Sequence, residues 1–290
     1  MTSTPDLISV VIPVRNRAAL IGNQLAALAQ QSTTRPFEVL VADNGSTDET
    51  AAVVESFADR FEHLEVIDAS ARRGASFARN LGAGRARGEM LAFCDSDDVA
   101  HGDWLESLAG AWRPGAIVAG RIHPLRLAPD APRCPDLPAG RPRGLECGFL
   151  PFADSANLAI GRDDLRGIGG FDETFPWSHD VELSWRAQVA GFEFADATDA
   201  VMFKRGAPHG WIRFRQYHRW GRTFPRLYRS YRHEGMSRRS PREVARSWAA
   251  LGLHGARAPF DHVHRDLAVR QAGWCTGYLI GSIRYRVLYF

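Results

Sequence analysis

Within the first hundred residues, a short apolar run gives way to a segment of helical spacing again and again, and no other feature constrains the fold as tightly. Leu7–Pro13 (LISVVIP) is apolar, β-branched and ended by proline, the pattern of a buried strand. Ala18–Gln31 follows, with Leu20, Leu25 and Leu28 at helical offsets. Phe37–Ala42 reads as a second strand stopped by Asp43-Asn44-Gly45, after which Asp48 can cap a helix through Val53, Val54 and Phe57. Leu64–Ile67 as a strand, Ala75–Ala86 as a helix and Met90–Cys94 as a strand complete the series. Such alternation predicts a parallel, doubly wound sheet, and ligands of such sheets bind outside the carboxyl ends of the strands. Pro13, Asp43 and Asp95 all fall at those ends, which locates a site.

Further on, Ala116–Ile122 and Asn157–Ile160 read as strands, Asp163–Gly167 as a short helix, and Asp180–Ala190 as a helix closed by Gly191. The Pro- and Arg-rich stretch up to Arg143 reads as an irregular loop. From about residue 211 the pattern is helical and basic, over Trp211–Tyr231, Arg242–Leu253 and His264–Tyr289. Charge divides in the same way. Residues 1–200 hold 18 Arg against 29 acids, whereas residues 201–290 hold 18 Arg and Lys against 4. A basic surface of this kind is suited to a negatively charged partner. The chain starts without the basic and apolar regions of a signal peptide and has no apolar run of membrane-spanning length. The cysteines, Cys94, Cys134, Cys147 and Cys275, show no pairing pattern. The expectation is a cytoplasmic protein with reduced thiols.

Asp95-Ser96-Asp97 carries the clearest chemistry. Carboxylates two residues apart on an extended segment point the same way. A cation of the Mg²⁺ or Mn²⁺ type takes one or two carboxylates together with substrate phosphates. The pair therefore suits a metal that bridges a diphosphate and stabilises its departure. Asp43 stands where a ligand is expected and can accept hydrogen bonds from a base N–H or ribose hydroxyls, while Gly45 and Asp48 are explained by turn and cap chemistry. The glycines from Gly82 to Gly88 have the form GxGxxxG but follow a helix and precede a strand, the reverse of a dinucleotide turn, and no P-loop is present.

The segments Val10-Val11-Ile12-Pro13-x-x-Asn16, Asp43-x-Gly45-Ser46-x-Asp48, Arg73-Gly74, Ala78-Arg79-Asn80-x-Gly82 and Asp95-Ser96-Asp97-Asp98 resemble, in order and spacing, the family 2 glycosyltransferases of GT-A-type fold. Asn157-Leu158-Ala159-Ile160, Gly169-Gly170-Phe171-Asp172 and His179-Asp180-Val181-Glu182-Leu183-x-x-Arg186 are similar to that family's acceptor-side segments, so the resemblance spans about residues 7–195. It implies an α/β, GT-A-like and Rossmann-like doubly wound, mostly parallel sheet over residues 1–205, with a donor part to about 115 and an acceptor part from about 116. A basic helical extension over 206–290 would follow. It also implies metal-dependent, inverting transfer of a sugar from a nucleotide donor, a UDP-sugar first, to a glycan or lipid-linked acceptor. On this resemblance Pro13, Asn16, Asp43 and Arg73 would line the donor, Asp95 and Asp97 would hold ribose, metal and diphosphate, and Asp180 would be the base. His179, Gly170 and Trp177 would lie on the acceptor side. Two positions depart from the family pattern: His179 stands where Glu is usual, and Val201-Met202-Phe203-Lys204 occupies the region of a metal-binding histidine, for which His209 is a candidate substitute.

The basic tail interleaves arginines with aromatics at helical offsets and reads either as packing on the rest of the chain or as a surface for anionic lipid at the inner face of the membrane. No nucleic-acid recognition module accompanies the charge. Two rival readings of the whole chain stay open: a non-catalytic nucleotide-sugar-binding scaffold, and a sugar-phosphate nucleotidyltransferase, which wants a glycine-rich loop where Pro13-Val14-Arg15-Asn16-Arg17 stands.

Overall fold

The computed structural model describes residues 4–125, 149–205 and 210–289, and the chain divides into two compact units, Met1–Gly206 and Ala207–Phe290. Unit one is built on an eight-stranded sheet of order β3-β2-β1-β4-β7-β6-β8-β5. Strands β1 (Ile8–Val14), β2 (Phe37–Asp43), β3 (Leu64–Asp68) and β4 (Met90–Phe93) are mutually parallel. They are linked through α1 (Ala18–Leu28), α2 (Thr50–Glu55) and α3 (Ala75–Arg85), as the alternating pattern predicts. Their apolar runs are buried because helices cover both faces, and Val10, Val11, Leu40, Val41, Leu91 and Phe93 have no exposed surface.

Pro13 fits this frame physically. Pairing of β1 with β4 ends at Val11 and Phe93, so the amide hydrogen that proline lacks would have faced no strand. The glycine run is close packing. A Cβ at Gly82 would come within 2.6 Å of Val11 on β1, and one at Gly88 within 2.7 Å of the Leu7 carbonyl.

Beyond β4 the sheet is mixed, where strand–helix alternation alone would continue it in parallel. After β5 (Val99–Ala100) and α4 (Trp104–Ala111), β6 (Ala116–Leu125) is antiparallel to β7 (Leu158–Gly161), which is itself antiparallel to β4. The buried Asn157 fastens the reversal. Its Oδ1 accepts from Trp104 Nε1 at 2.8 Å, and its Nδ2 donates to the carbonyls of Arg121 (3.0 Å) and Ala200 (2.8 Å). After α5 (Arg162–Gly167) and α6 (His179–Val189), β8 (Glu193–Arg205) pairs parallel to β6 and antiparallel to β5. The 13-residue β8, the two-residue β5 and α4 are elements that the apolar pattern misses. The first half of β8 alternates exposed Glu193, Asp196, Thr198 and Asp199 with small buried alanines, which lack the β-branched signal.

Unit two contains α7 (Trp211–Tyr231), α8 (Pro241–Arg257) and α9 (His262–Tyr285). The α8 N-terminus carries a Ser240/Glu243 capping box with Pro241 in the first turn. Helices α7 and α9 approach through glycines. A Cβ at Gly277 would lie 2.6 Å from the His218 carbonyl and 2.9 Å from the Gly221 Cα. The aromatic stripe of α7 is spent here, with Phe224 edge-on to Trp274 and Tyr278. Gly277→Val is expected to cost this unit about 1–3 kcal/mol of stability and so to lower its unfolding midpoint, since backbone atoms must move apart. Calorimetry with no downward shift would show that the helices can separate freely. Among the described residues no helix is long and apolar enough to cross a membrane.

Candidate functional site

The loops at the carboxyl ends of β1 and β2 hold each other. Asn16, at φ +52, accepts from Thr47 N through Oδ1 (2.8 Å), and its own amide donates to Ser46 Oγ (2.9 Å). Asp43 Oδ1 accepts from the Ser46 amide (2.8 Å) and hydroxyl (2.7 Å). Asp48 Oδ1 accepts from Thr50 N (3.1 Å) and its Oδ2 from Ala18 N (3.2 Å), so one carboxylate serves the start of both α1 and α2. The buried Asn44 then ties β2 to the loop before α3. It donates to the carbonyls of Ala69 (2.6 Å) and Arg72 (2.7 Å) and accepts from Gly74 N (2.8 Å). That strap fixes the exposed Arg73 beside the Asp43 strand end. Asn16 is thus a brace of the loop pair.

After β4 come Asp95, Asp97 and Asp98, each of which offers one carboxylate oxygen within 4.8 Å of those of the other two. Hard oxygen donors at such spacing fit a divalent cation of the Mg²⁺ or Mn²⁺ kind. The buried Asp98 Oδ2 has no hydrogen-bond partner among the described residues, while Asp98 Oδ1 accepts from Arg205 N at 2.9 Å. Burial, reinforced by the neighbouring Asp95, pushes the Asp98 carboxyl up to about 8. Asp97 meets Arg17 Nε at 3.3 Å on the open side.

Two bridges run from this cluster, one to the first residue of α6 and one to the segment before β7. In the first, the buried Arg79 donates from Nη2 to Asp95 Oδ1 (2.7 Å), while its Nη1 lies 2.9 Å from His179 Nε2. Burial and the adjacent Arg79 cation lower His179 to about 3, so the imidazole is neutral, and a guanidinium donor at Nε2 leaves its proton on Nδ1. In the second, Lys204 Nζ donates to both oxygens of Asp154 (3.0 and 2.9 Å) and stands 3.9 Å from Asp95 Oδ2. Burial alone would lower the pKa of the ammonium, but Asp154, Asp95 and Asp98 outweigh that and raise it.

Asp180 opens α6 after Ser178, which is left-handed at φ +55. Its carboxylate accepts from Val181 N (2.9 Å) and Ser155 N (3.4 Å). Loss of hydration, and next the charge of Asp154, raise it to about 6. Gly170, at φ +72, has no room for a side chain: a Cβ would lie 2.7 Å from Asn80 Oδ1. Asn80 also accepts from Phe171 N (2.8 Å) and donates to Phe171 O (2.9 Å), which pins this segment to α3. Trp177 lies half-buried just ahead of α6, and His209 lies outside the described residues.

Arg79, Asp154 and Lys204 are site residues to which the sequence reading gave no role. Arg79 lies in a quoted motif and Asp154 in an aperiodic stretch before β7. Lys204 did carry a signal, as the only lysine in a chain whose other long cations are all arginine. At a compact, buried charge a lysine is not replaced by arginine without loss.

Comparison with known proteins bears on this geometry. Residues 9–126 match the model of Glycosyl transferase family 2. The chain is 29% identical over 223 residues to glycosyltransferase AglE of Haloferax volcanii, covering 75% of this chain and 73% of that one. It is 32% identical over 242 residues to validoxylamine A glucosyltransferase of Streptomyces hygroscopicus subsp. jinggangensis, with 72% of this chain matched but 57% of the relative. Among solved structures, mannosyltransferase PcManGT from Pyrobaculum calidifontis, in complex with GDP-Man and Mn²⁺, superposes with a TM-score of 0.69 at 19% identity, over 98% of this chain and 88% of that one. S. aureus TarS 1–349 in complex with UDP superposes with a TM-score of 0.53 at 17% identity, over 98% and 93%. These two are likenesses of fold.

Proposed function

The chain belongs to glycosyl transferase family 2 through its N-terminal domain, and on that premise we propose that it is an inverting enzyme that moves a sugar from a nucleoside-diphosphate donor, a UDP-sugar first, to an acceptor hydroxyl. The observation that carries this reading is the joining of Asp95 to the start of α6 by Arg79–His179, and by Lys204–Asp154 to the segment before β7, whose Ser155 amide donates to Asp180. Two reacting groups have to be held in one frame for displacement, and such a frame supplies that.

Pro13 and Asp43 border the base and ribose, and Asp43 Oδ2 is open to hydroxyl donors because Oδ1 takes both Ser46 bonds. Arg73 approaches the phosphates. Asp95 and Asp97 would hold a divalent cation, Mn²⁺ or Mg²⁺, which when bound neutralises charge on the departing diphosphate. The oxygen-only donor set with an orphaned buried Asp98 oxygen supports that assignment. Lys204 adds a fixed positive charge next to Asp95. Asp180 takes the proton of the acceptor hydroxyl as the new C–O bond forms at the anomeric carbon and the bond to the diphosphate breaks. With a pKa near 6 it is ionised at neutral pH yet basic enough to accept. The acceptor oxygen attacks directly from the face opposite the departing diphosphate, which needs no enzyme nucleophile and inverts the configuration. Neutral His179, beside Asp180, and Trp177 face the acceptor, which is a glycan or lipid-linked hydroxyl.

The test is incubation with UDP-, GDP- and dTDP-sugars in Mn²⁺ or Mg²⁺, with thermal shift in parallel. The expected result is one preferred donor that stabilises the fold and slowly releases its nucleoside diphosphate. If no donor shifts stability and none is hydrolysed, the reading fails.

A further inference from the structure

We propose that the turn between α8 and α9 is an insertion tip by which the helical unit docks on an anionic phospholipid surface. The inference goes beyond the catalytic reading and is tested without any catalytic measurement.

The middle of the aromatic face of α7, Tyr217, Trp220 and Phe224, packs on α9 and is not available to a membrane, while Trp211 in its first turn stays 67% exposed. Exposed apolar surface is concentrated elsewhere. Among the described residues, every exposed large hydrophobic except Val189 lies in the helical unit. Three of them bracket one turn: Leu253 is 51% exposed, Phe260 90% and Val263 52%. Phe260 is not on a frayed segment. Its amide donates to Arg257 O (3.0 Å), as does that of Asp261 (3.1 Å), and Arg265 Nε donates to Ala258 O (3.2 Å). Asp261 Oδ1 accepts from Val263 N at 2.8 Å and so caps α9. The turn is built, and it holds a phenyl ring almost wholly in water, where burial would be favourable.

The charge around the ring selects the occupant. Arg257 and Arg265 are exposed on either side of it, and residues 201–290 carry 18 basic residues against 4 acids. The Asp261 carboxylate in the turn offsets one of these charges, and Arg257 and Arg265 together still leave the turn positive. A second copy would bring the same excess of positive charge against itself. An apolar wedge flanked by arginines matches the boundary between acyl chains and anionic headgroups, where each cation adds about one factor of five and salt weakens the sum.

Flotation of the full chain with phosphatidylcholine vesicles, with and without about one third phosphatidylglycerol, tests this. Binding is expected only to the anionic vesicles and is expected to fall with salt. Phe260→Ser should weaken partitioning by roughly ten- to a hundred-fold, with an unchanged melting curve because the ring supports nothing in the fold. Absence of binding at low salt overturns the proposal. So does equal binding by Phe260→Ser, which would mark mere surface adhesion by arginines, and so does displacement of a Phe260-dependent complex by an oligonucleotide. A concentration-dependent dimer abolished by Phe260→Ser would also overturn it, because a second copy would then cover the ring.

Discussion

Asp180→Asn is expected to lower kcat by about 10²–10⁴-fold with little change in donor affinity, the usual loss on removing a general base. The wild type should show an acid limb in kcat/KM near pH 6, where burial and Asp154 place this carboxyl, and the variant should lack it. The same substitution should stabilise the fold, with a sign fixed by linkage. A carboxyl whose folded pKa is raised from 3.8 to about 6 destabilises the protein fully above pH 6 and not at all once both states are protonated. The variant should therefore melt higher than wild type at pH 8, and the gap should close below about pH 4. Retained kcat with collapsed donor affinity would make Asp180 a binding residue instead.

Asp97→Asn should reduce turnover at fixed Mn²⁺ by on the order of 10²–10³-fold and raise the metal concentration needed for half-maximal rate, since a charged oxygen ligand becomes a weak neutral one. Chelation should abolish the wild-type reaction, and Mn²⁺ or Mg²⁺ should restore it. Asp97 is the informative member of its cluster. Its partner Arg17 is 42% exposed, and open pairs of this kind contribute under about 1 kcal/mol, so the fold should not respond. Asp95 lacks that advantage, because its loss leaves the Arg79 cation buried and uncompensated. Unchanged turnover and unchanged metal dependence in Asp97→Asn would remove the cation from the mechanism.

The donor half of this arrangement was legible in the sequence because it is local. Strand ends are marked by the apolar runs that precede them, and Pro13, Asp43 and Asp95 follow directly from those marks. The cross-bridges were not legible in the same way. Arg79 reaches His179 over a separation of 100 residues and Lys204 reaches Asp154 over 50, so no spacing rule relates them. The antiparallel entry of β7 was equally hidden. Its signal is a single asparagine, Asn157, whose partners on α4, β6 and β8 exist only in the folded chain. Asn16 and Gly170 show a third case. The sequence reading named them as donor-side and acceptor-side candidates, and the hydrogen bonds around Asn16 and the lack of space at Gly170 make them structural supports of their loops.

The reversal between β4 and β7 has a consequence for how such a protein can change. Where two strands run in opposite directions, one leaves the sheet at the edge where the other enters, so Asp95 and Asp154 share a mouth although they precede and follow different connections. A uniformly parallel sheet would draw all its ligand-contacting residues from strand exits, each followed by a helix on which the core depends. Here Asp154 comes from chain that has not yet entered β7. Such chain can lengthen, shorten or exchange its side chains without shifting the register of β1, β2 and β4. Selection for a new partner molecule on that side would therefore leave nucleotide recognition on the other intact. Directed evolution of the segment before β7 is the place to look for altered choice of the second reactant.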